Sequence, residues 1–133
     1  MVIEVMALCD AATDSQGKLN ILGAFDTLWT RQAPMVYPQC AIALRIRFSR
    51  IEEGEHRLKI NIQNEDGKLA MPSLDATIRV AFGQDVESVA TNLILNIQQL
   101  KLEKCGPHAI DVAINGRQEA SLPLFVKAAP APT

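Results

Sequence analysis

Apolar residues recur at every second position through most of this chain, the spacing that sends alternate side chains to opposite faces of a pleated strand. Ile42, Leu44, Ile46 and Phe48 alternate with Ala43, Arg45, Arg47 and Ser49, which predicts a strand with one buried face. Leu58, Ile60 and Ile62 repeat the pattern against Arg57, Lys59, Asn61 and Gln63. That run ends in Glu65-Asp66-Gly67, whose Asp-Gly pair predicts a hairpin because both residues tolerate positive φ. Leu74, Ala76, Ile78, Val80 and Phe82 then alternate with Asp75, Thr77, Arg79 and Ala81. Near the C-terminus, Asn115-Gly116 lies between Ile110/Val112/Ile114 and Leu122/Leu124/Val126 and predicts a two-residue type I′ turn. Pro123 has no backbone donor, so the last strand should lie at a sheet edge or turn that nitrogen away from a partner.

Residues 2–8 and 19–29 are apolar on both faces, as in central strands or strands covered by a partner. Gly23 marks a bulge or bend within the second of these. The connectors are the turn-rich 10–17, the stretch 31–39 with Pro34 and Pro38, and 51–55. Segment 86–102 admits two readings. Val86, Val89, Ala90, Leu93, Ile94, Ile97 and Leu100 stand at helical spacing behind Asp85, whereas Leu93, Leu95 and Ile97 alternate as in a strand whose phase slips at Leu100 and Leu102. Thr91, Asn92 and Asn96 are poor interior helix formers, and strand is the preferred reading, with the slip as a β-bulge. Eight or nine strands with short turns and no βαβ unit predict an all-β fold, an antiparallel β-sandwich. A single domain should span residues 1–127, followed by a disordered tail, Ala-Ala-Pro-Ala-Pro-Thr, at 128–133.

The segment Gly17-Lys18-Leu19-Asn20-Ile21-Leu22-Gly23-Ala24-Phe25-Asp26 resembles the GKLNILG-x-FD signature of a family of small bacterial proteins of unknown function. Gly54-Glu55-His56, Glu65-Asp66-Gly67, the run from Gly106 to Gly116 and Ser121-Leu122-Pro123-Leu124 extend the resemblance over nearly the whole chain. The C-terminal part is also similar to the last hairpin of immunoglobulin-like sandwiches, with His108 where that pattern often has an aromatic residue. The resemblance implies a sandwich of immunoglobulin-like general form and supports strand over 86–102. It carries no activity and no catalytic residues.

Composition narrows function more than it defines it. The 133 residues are 48% hydrophobic, enough for one core without a metal or disulfide staple. Thirteen basic against fifteen acidic residues give a net charge of −2, short of the basic footprint that nucleic-acid binding requires. No apolar run approaches a membrane span, and residues 1–10 lack the basic flank of a leader, so the chain reads as cytoplasmic, with no membrane partner. Three cysteines, Cys9, Cys40 and Cys105, read as free and mostly buried thiols.

Candidate chemistry is sparse. Cys105 and His108 form a Cys-x-x-His pair, but no second pair completes a zinc site. His56 with Glu52, Glu53 and Glu55, or His108 with a spatially adjacent acid, could serve a small cofactor-free hydrolase, although no nucleophile motif is present. Three acids ahead of a strand are more simply a solvated loop. Asp10 and Asp14, with Thr13 and Ser15, offer calcium-type oxygens in what reads as one loop. Asp26 and Asp111 interrupt apolar strands and either face outward or line a groove. Trp29, Met35, Val36 and Tyr37 gather around the Pro34/Pro38 loop, where they could form an adhesive patch for a partner or fill an open end of the sandwich. A homodimer through a sheet edge or face is a third account of the apolar excess. The expectation is a cofactor-free binding or assembly module with a protein partner or a second copy of itself, the alternatives being the hydrolase and a calcium-responsive module.

Overall fold

Two-residue alternation folds into two stacked sheets in the computed structural model, which describes residues 1–130. Among these residues are nine strands: β1 (Val2–Ser15), β2 (Lys18–Ala24), β3 (Thr27–Thr30), β4 (Met35–Ser49), β5 (Gly54–Asn64), β6 (Leu74–Val80), β7 (Ser88–Leu102), β8 (Gly106–Ile114) and β9 (Arg117–Ala128). One 3₁₀ turn, Arg50–Glu52, follows β4. The first sheet has the order β2-β1-β4-β7 and the second β3-β9-β8-β5-β6. All neighbours are antiparallel except β3 and β9, which run parallel.

The core lies between the sheets. Cys40, Ile42, Leu44, Ile46 and Phe48 form the inner row of β4. Leu58, Ile60 and Ile62 of β5 and Ile110, Val112 and Ile114 of β8 supply the opposing layer, so the buried rows are those that alternation selects. Segment 86–102 is strand, not helix: β7 pairs with β4 from Ser49↔Ser88 to Met35↔Leu102. The expected bulge takes another form. Inward residues pass from Ile97 to Leu100 on β7 and from Tyr37 to Cys40 on β4, so both strands change phase at the same level. Pro38 there stands opposite Gln99, whose φ is 55°, and the register on either side is unchanged. The matched slip keeps the ladder intact where a one-sided bulge would offset it.

Several boundaries differ from the sequence reading. Residues 10–15 are not a loop; β1 continues to Ser15 and turns through Gln16-Gly17 into β2. Residues 19–29 are not one central strand. The chain leaves the first sheet after Ala24 and joins the second at Thr27, giving two edge strands, because Phe25 packs against the core while the chain crosses between layers. Met35 to Gln39 belong to β4 rather than to a loop, since β7 supplies partners as far as Met35 and confines the connector to residues 31–34. The Glu65-Asp66-Gly67 turn forms, closed by Gly67 N donating to Asn64 O at 3.0 Å, but β6 starts only at Leu74 and resumes pairing at Ile60. Asn115 and Gly116 both have positive φ, at 53° and 82°, as the type I′ turn requires. Pro123 lies opposite Ala109, and on its other side β3 reaches only Phe125 to Ala128, so β9 is an edge at the proline without being an edge strand throughout. The expected tail begins too early. Ala128 is in β9 and Ala129 N donates to Thr30 O at 2.7 Å, while residues 131–133 lie outside the described residues.

Cys9, Ala41 and Ala43 point away from the inter-sheet core, yet all three are fully buried. The β1–β2 hairpin covers them. It bends at Asp10, which stands opposite Gly23, and folds over the outer face of its own sheet so that Ala12 and Leu19 pack on the cluster beside Ile94. Its tip is held by Gly17 O, which accepts from Asn92 Nδ2 at 3.1 Å and from Arg45 Nη1 at 3.4 Å. Gly23 is required at the bend: its φ is 70°, and a β-carbon would lie 2.7 Å from Asp10 Oδ2. Gly23→Ala should therefore lower stability by about 1–3 kcal/mol, read as a reduced urea midpoint with an unchanged slope. A midpoint equal to wild type would show that the bend does not depend on this glycine.

Candidate functional site

The 3₁₀ turn after β4 begins with Ser49 three residues before Glu52, the serine-to-glutamate spacing of a capping box. Glu52 Oε1 accepts from Ser49 N at 2.9 Å and from Ser49 Oγ at 3.0 Å, and it meets the Met1 ammonium at 2.9 Å. The Ser49 backbone donor leads in holding the Glu52 carboxyl down to about 2, with the ammonium adding to it. The acid-rich stretch is thus not simply a solvated loop, because Glu52 is a terminal tie.

His56 stands over this turn. Its ring stacks on Phe48 with centroids 4.7 Å apart, and Nε2 lies 2.6 Å from Glu52 O. A carbonyl can only accept, so Nε2 carries the proton, and Nδ1 accepts from Asn115 Nδ2 at 3.0 Å. Both ring nitrogens are committed to a backbone carbonyl and an amide, and the ring joins the 3₁₀ turn to the β8–β9 turn. A polar cleft of about 450 Å³ opens beside it, lined by Glu52, Asn115, Arg117 and Glu119. His108 is nearly buried, with Nδ1 donating to Gly106 O at 3.0 Å. Neither ring hydrogen-bonds a carboxylate or a nucleophile, which is the arrangement the hydrolase reading needs.

The other candidates separate. Asp10 and Asp14 both lie on β1, not in a flexible loop, and Asp10 Oδ1 accepts from Tyr37 Oη at 2.7 Å. That hydrogen bond, ahead of burial, raises the Tyr37 pKa. Among the described residues no group of three or more His, Cys, Asp or Glu side chains is placed to hold a metal ion. The thiols are free and mostly buried, as expected: Cys9 and Cys40 are buried, and Cys105 is exposed in the β7–β8 turn. Burial raises the Cys9 thiol and pushes Cys40 up to about 11, so neither is an activated nucleophile. Asp111 faces outward, accepting from Gln63 Nε2 at 2.7 Å and Ser121 Oγ at 2.6 Å. Asp26 instead rims an open cleft of about 420 Å³ at the seam where β1 of one sheet meets β9 of the other, with Met6, Leu8, Phe25 and Leu122 in its walls.

Trp29, Met35, Val36 and Tyr37 divide into two pairs. Met35 and Tyr37 pack on the core, and Tyr37 sits 5.4 Å from the Phe25 ring, so they close that end of the sandwich. Trp29, 59% exposed, and Val36, 47% exposed, remain at the surface, with Lys127 Nζ 5.7 Å from the Trp29 ring.

Strand edges are the feature that residue-by-residue reading misses. Of the four strands that end the two sheets, three are blunted by familiar devices. β3 has only four residues, β6 carries Asp75 and Arg79, and β2 is short, kinked at Gly23 and begins with Lys18. β7 is fifteen residues long, has β4 on one side only, and carries a single charge, Lys101. The signal was present in the uncharged run from Ser88 to Leu100.

Two sheets over one core, antiparallel except for the β3–β9 pair, define an all-β sandwich. The chain belongs to a family of unknown function (DUF6941), whose model matches residues 4–127. No curated protein matches it. Among solved structures it is similar to the Pseudomonas fluorescens alkylpurine DNA glycosylase AlkC bound to DNA containing an abasic site analog, with 10% identity and a TM-score of 0.48. That likeness covers 77% of this chain and 28% of the other, and it carries no argument about activity. Among the described residues no helix is long and apolar enough to cross a membrane.

Because the Glu52 pKa is depressed in the folded state, its contribution to stability is complete above the unfolded value of 4.5 and is lost as pH falls towards 2. Glu52→Gln should cost about 1 kcal/mol at pH 7, with the difference from wild type shrinking as pH is lowered through 4 to 2.5 in urea titrations. A gap that stays constant down to pH 2.5 would remove the carboxylate as its cause.

Proposed function

We propose that this protein is a cofactor-free binding and assembly module that works by pairing an exposed strand edge with another polypeptide. The β7 edge carries the reading. It is the longest edge of the sandwich, carries one charge, at Lys101, and lacks the proline and shortness that keep other edges from pairing. Backbone groups along such an edge supply affinity, and the half-buried side chains beside it supply selectivity. Trp29 and Val36 are a secondary contact in this reading. The free thiols Cys9, Cys40 and Cys105 support a reducing compartment such as the cytoplasm. The immunoglobulin-like kinship suggested by the C-terminal hairpin belongs to the same reading.

The test is a capture experiment in native host lysate with tagged wild type, Asn96→Lys and Trp29→Ala. Asn96 is exposed on β7 outside the core, so the lysine should reduce recovery of bound polypeptide at least fivefold while Tm stays within about 2 °C. Trp29→Ala should reduce recovery less. Equal recovery by wild type and Asn96→Lys would overturn the reading.

A further inference from the structure

We propose that the polypeptide pairing with β7 is β7 of a second copy, antiparallel and centred on Ile94, joining two four-stranded sheets into one of eight strands. The inference rests on the edge-pairing function and names its partner. A two-fold axis normal to the sheet places residue i opposite residue j with a constant sum and keeps inner faces on the same side. The sequence Asn92-Leu93-Ile94-Leu95-Asn96 reads identically in both directions. Centring on Ile94 therefore sets Ile94 against itself, Leu93 against Leu95 and Asn92 against Asn96. Leucine meets leucine on the inner face, and isoleucine and the amides meet their like on the outer face, the favourable case for cross-strand pairs.

Three further observations fit this register. β7 is straight and uncharged from Ser88 to Gln98, ahead of the positive φ at Gln99, so no like charges are set opposite one another. With the same sum of positions a ladder over residues 90–98 ends before the phase change at Gln99, so the irregular residue lies outside the paired stretch. Leu93 and Leu95 point inward and pack on the core but stay only half-buried, because β7 is the last strand of its sheet. In the pair each gains a leucine from the second copy. The opposing edge of the other sheet, β6, carries Asp75 and Arg79, which confines pairing to β7.

The experiment uses the full chain. Sedimentation velocity of wild type up to about 100 μM should give twice the chain mass, and Asn96→Lys should give a folded monomer whose melting temperature matches that of wild type diluted to its monomeric form. Gln98→Lys is the second variant should Asn96→Lys fail to fold, and it should also be monomeric. Register is read by cross-linking in a Cys105→Ser background. A mixture of Ala90→Cys and Gln98→Cys chains should form a disulfide-linked dimer under mild oxidation, at least tenfold more than either variant alone, because positions 90 and 98 face each other across the axis. A monomeric wild type, a dimer that survives both lysine variants, or self-linking of one cysteine variant exceeding the mixture would overturn the proposal. If the wild type is monomeric while Asn96→Lys still loses captured polypeptide, the second copy is wrong and the edge-pairing function stands. If capture is also unaffected, both fail.

Discussion

The rest of the structure depends on β4, a strand hydrogen-bonded along both edges and covered on both faces. Cys40, Ile42, Leu44, Ile46 and Phe48 fill the space between the sheets, and Ala41 and Ala43 on the opposite face are as completely buried. A strand in that position tolerates no slip, because moving by one residue would exchange the Ile/Leu/Phe row for Ala and Arg. Its two neighbours are thereby fixed. β1 must present Leu8 inward beside Ile42 and Cys9 outward beside Ala41, and β7 must match both the direction of β4 and its change of phase at Pro38.

Covering the outer face of β4 is what shapes the N-terminal third. Small residues there leave room for a second layer, and the β1–β2 hairpin supplies it by bending back at Asp10 and Gly23. Further along the same face the covering stops and charge takes over. Glu4 bridges Arg45 and Arg47 at 3.0 and 2.7 Å, and Arg47 donates to Ser88 Oγ at 2.8 Å. These exposed pairs contribute little stability individually, but they occupy the polar atoms of the face and leave the edge of β7 as its unpaired border. His56 has an analogous role at one end of the sandwich, where stacking on Phe48 and two hydrogen bonds fasten the 3₁₀ turn to the β8–β9 turn.

What could be read from the chain followed the range of the interaction involved. The inner rows of β4, β5 and β8 and the Asn115-Gly116 turn depend on neighbours one to four residues apart, and periodicity displays them directly. The choice between helix and strand for 86–102 was harder, because Val89, Leu93 and Ile97 satisfy either period; fourteen residues of β4 decide it. Continuous apolarity in 19–29 concealed a crossing between sheets, since Leu22 and Trp29 are exposed on two different edges. Nothing local distinguishes that from one buried strand. The histidines were misleading for a related reason. A residue type suited to catalysis says nothing of what its nitrogens bond, and Asn115, 59 positions from His56, supplies one of the two partners. Glu52 is legible through the Ser49-x-x-Glu52 spacing, which the adjacent Glu53 and Glu55 mask as one run of surface acids.

The energetics of an exposed edge limit what β7 can do alone. Each interstrand hydrogen bond formed in water contributes about 0.5–1.5 kcal/mol net, and an antiparallel ladder over residues 90–98 offers about eight to ten. Association costs about 4–15 kcal/mol in lost translational and rotational freedom, which the backbone ladder by itself barely offsets. The surplus has to come from apolar area, at about 25 cal/mol per Å² removed from water. The inner flank of β7 holds such area in Leu93 and Leu95, which are contiguous with the main core. A partner that brings apolar side chains to that flank is therefore held, and one that offers backbone alone is not. In the proposed pairing, selectivity would thus reside in the same leucine row that builds the sandwich, on the unfinished side of the core.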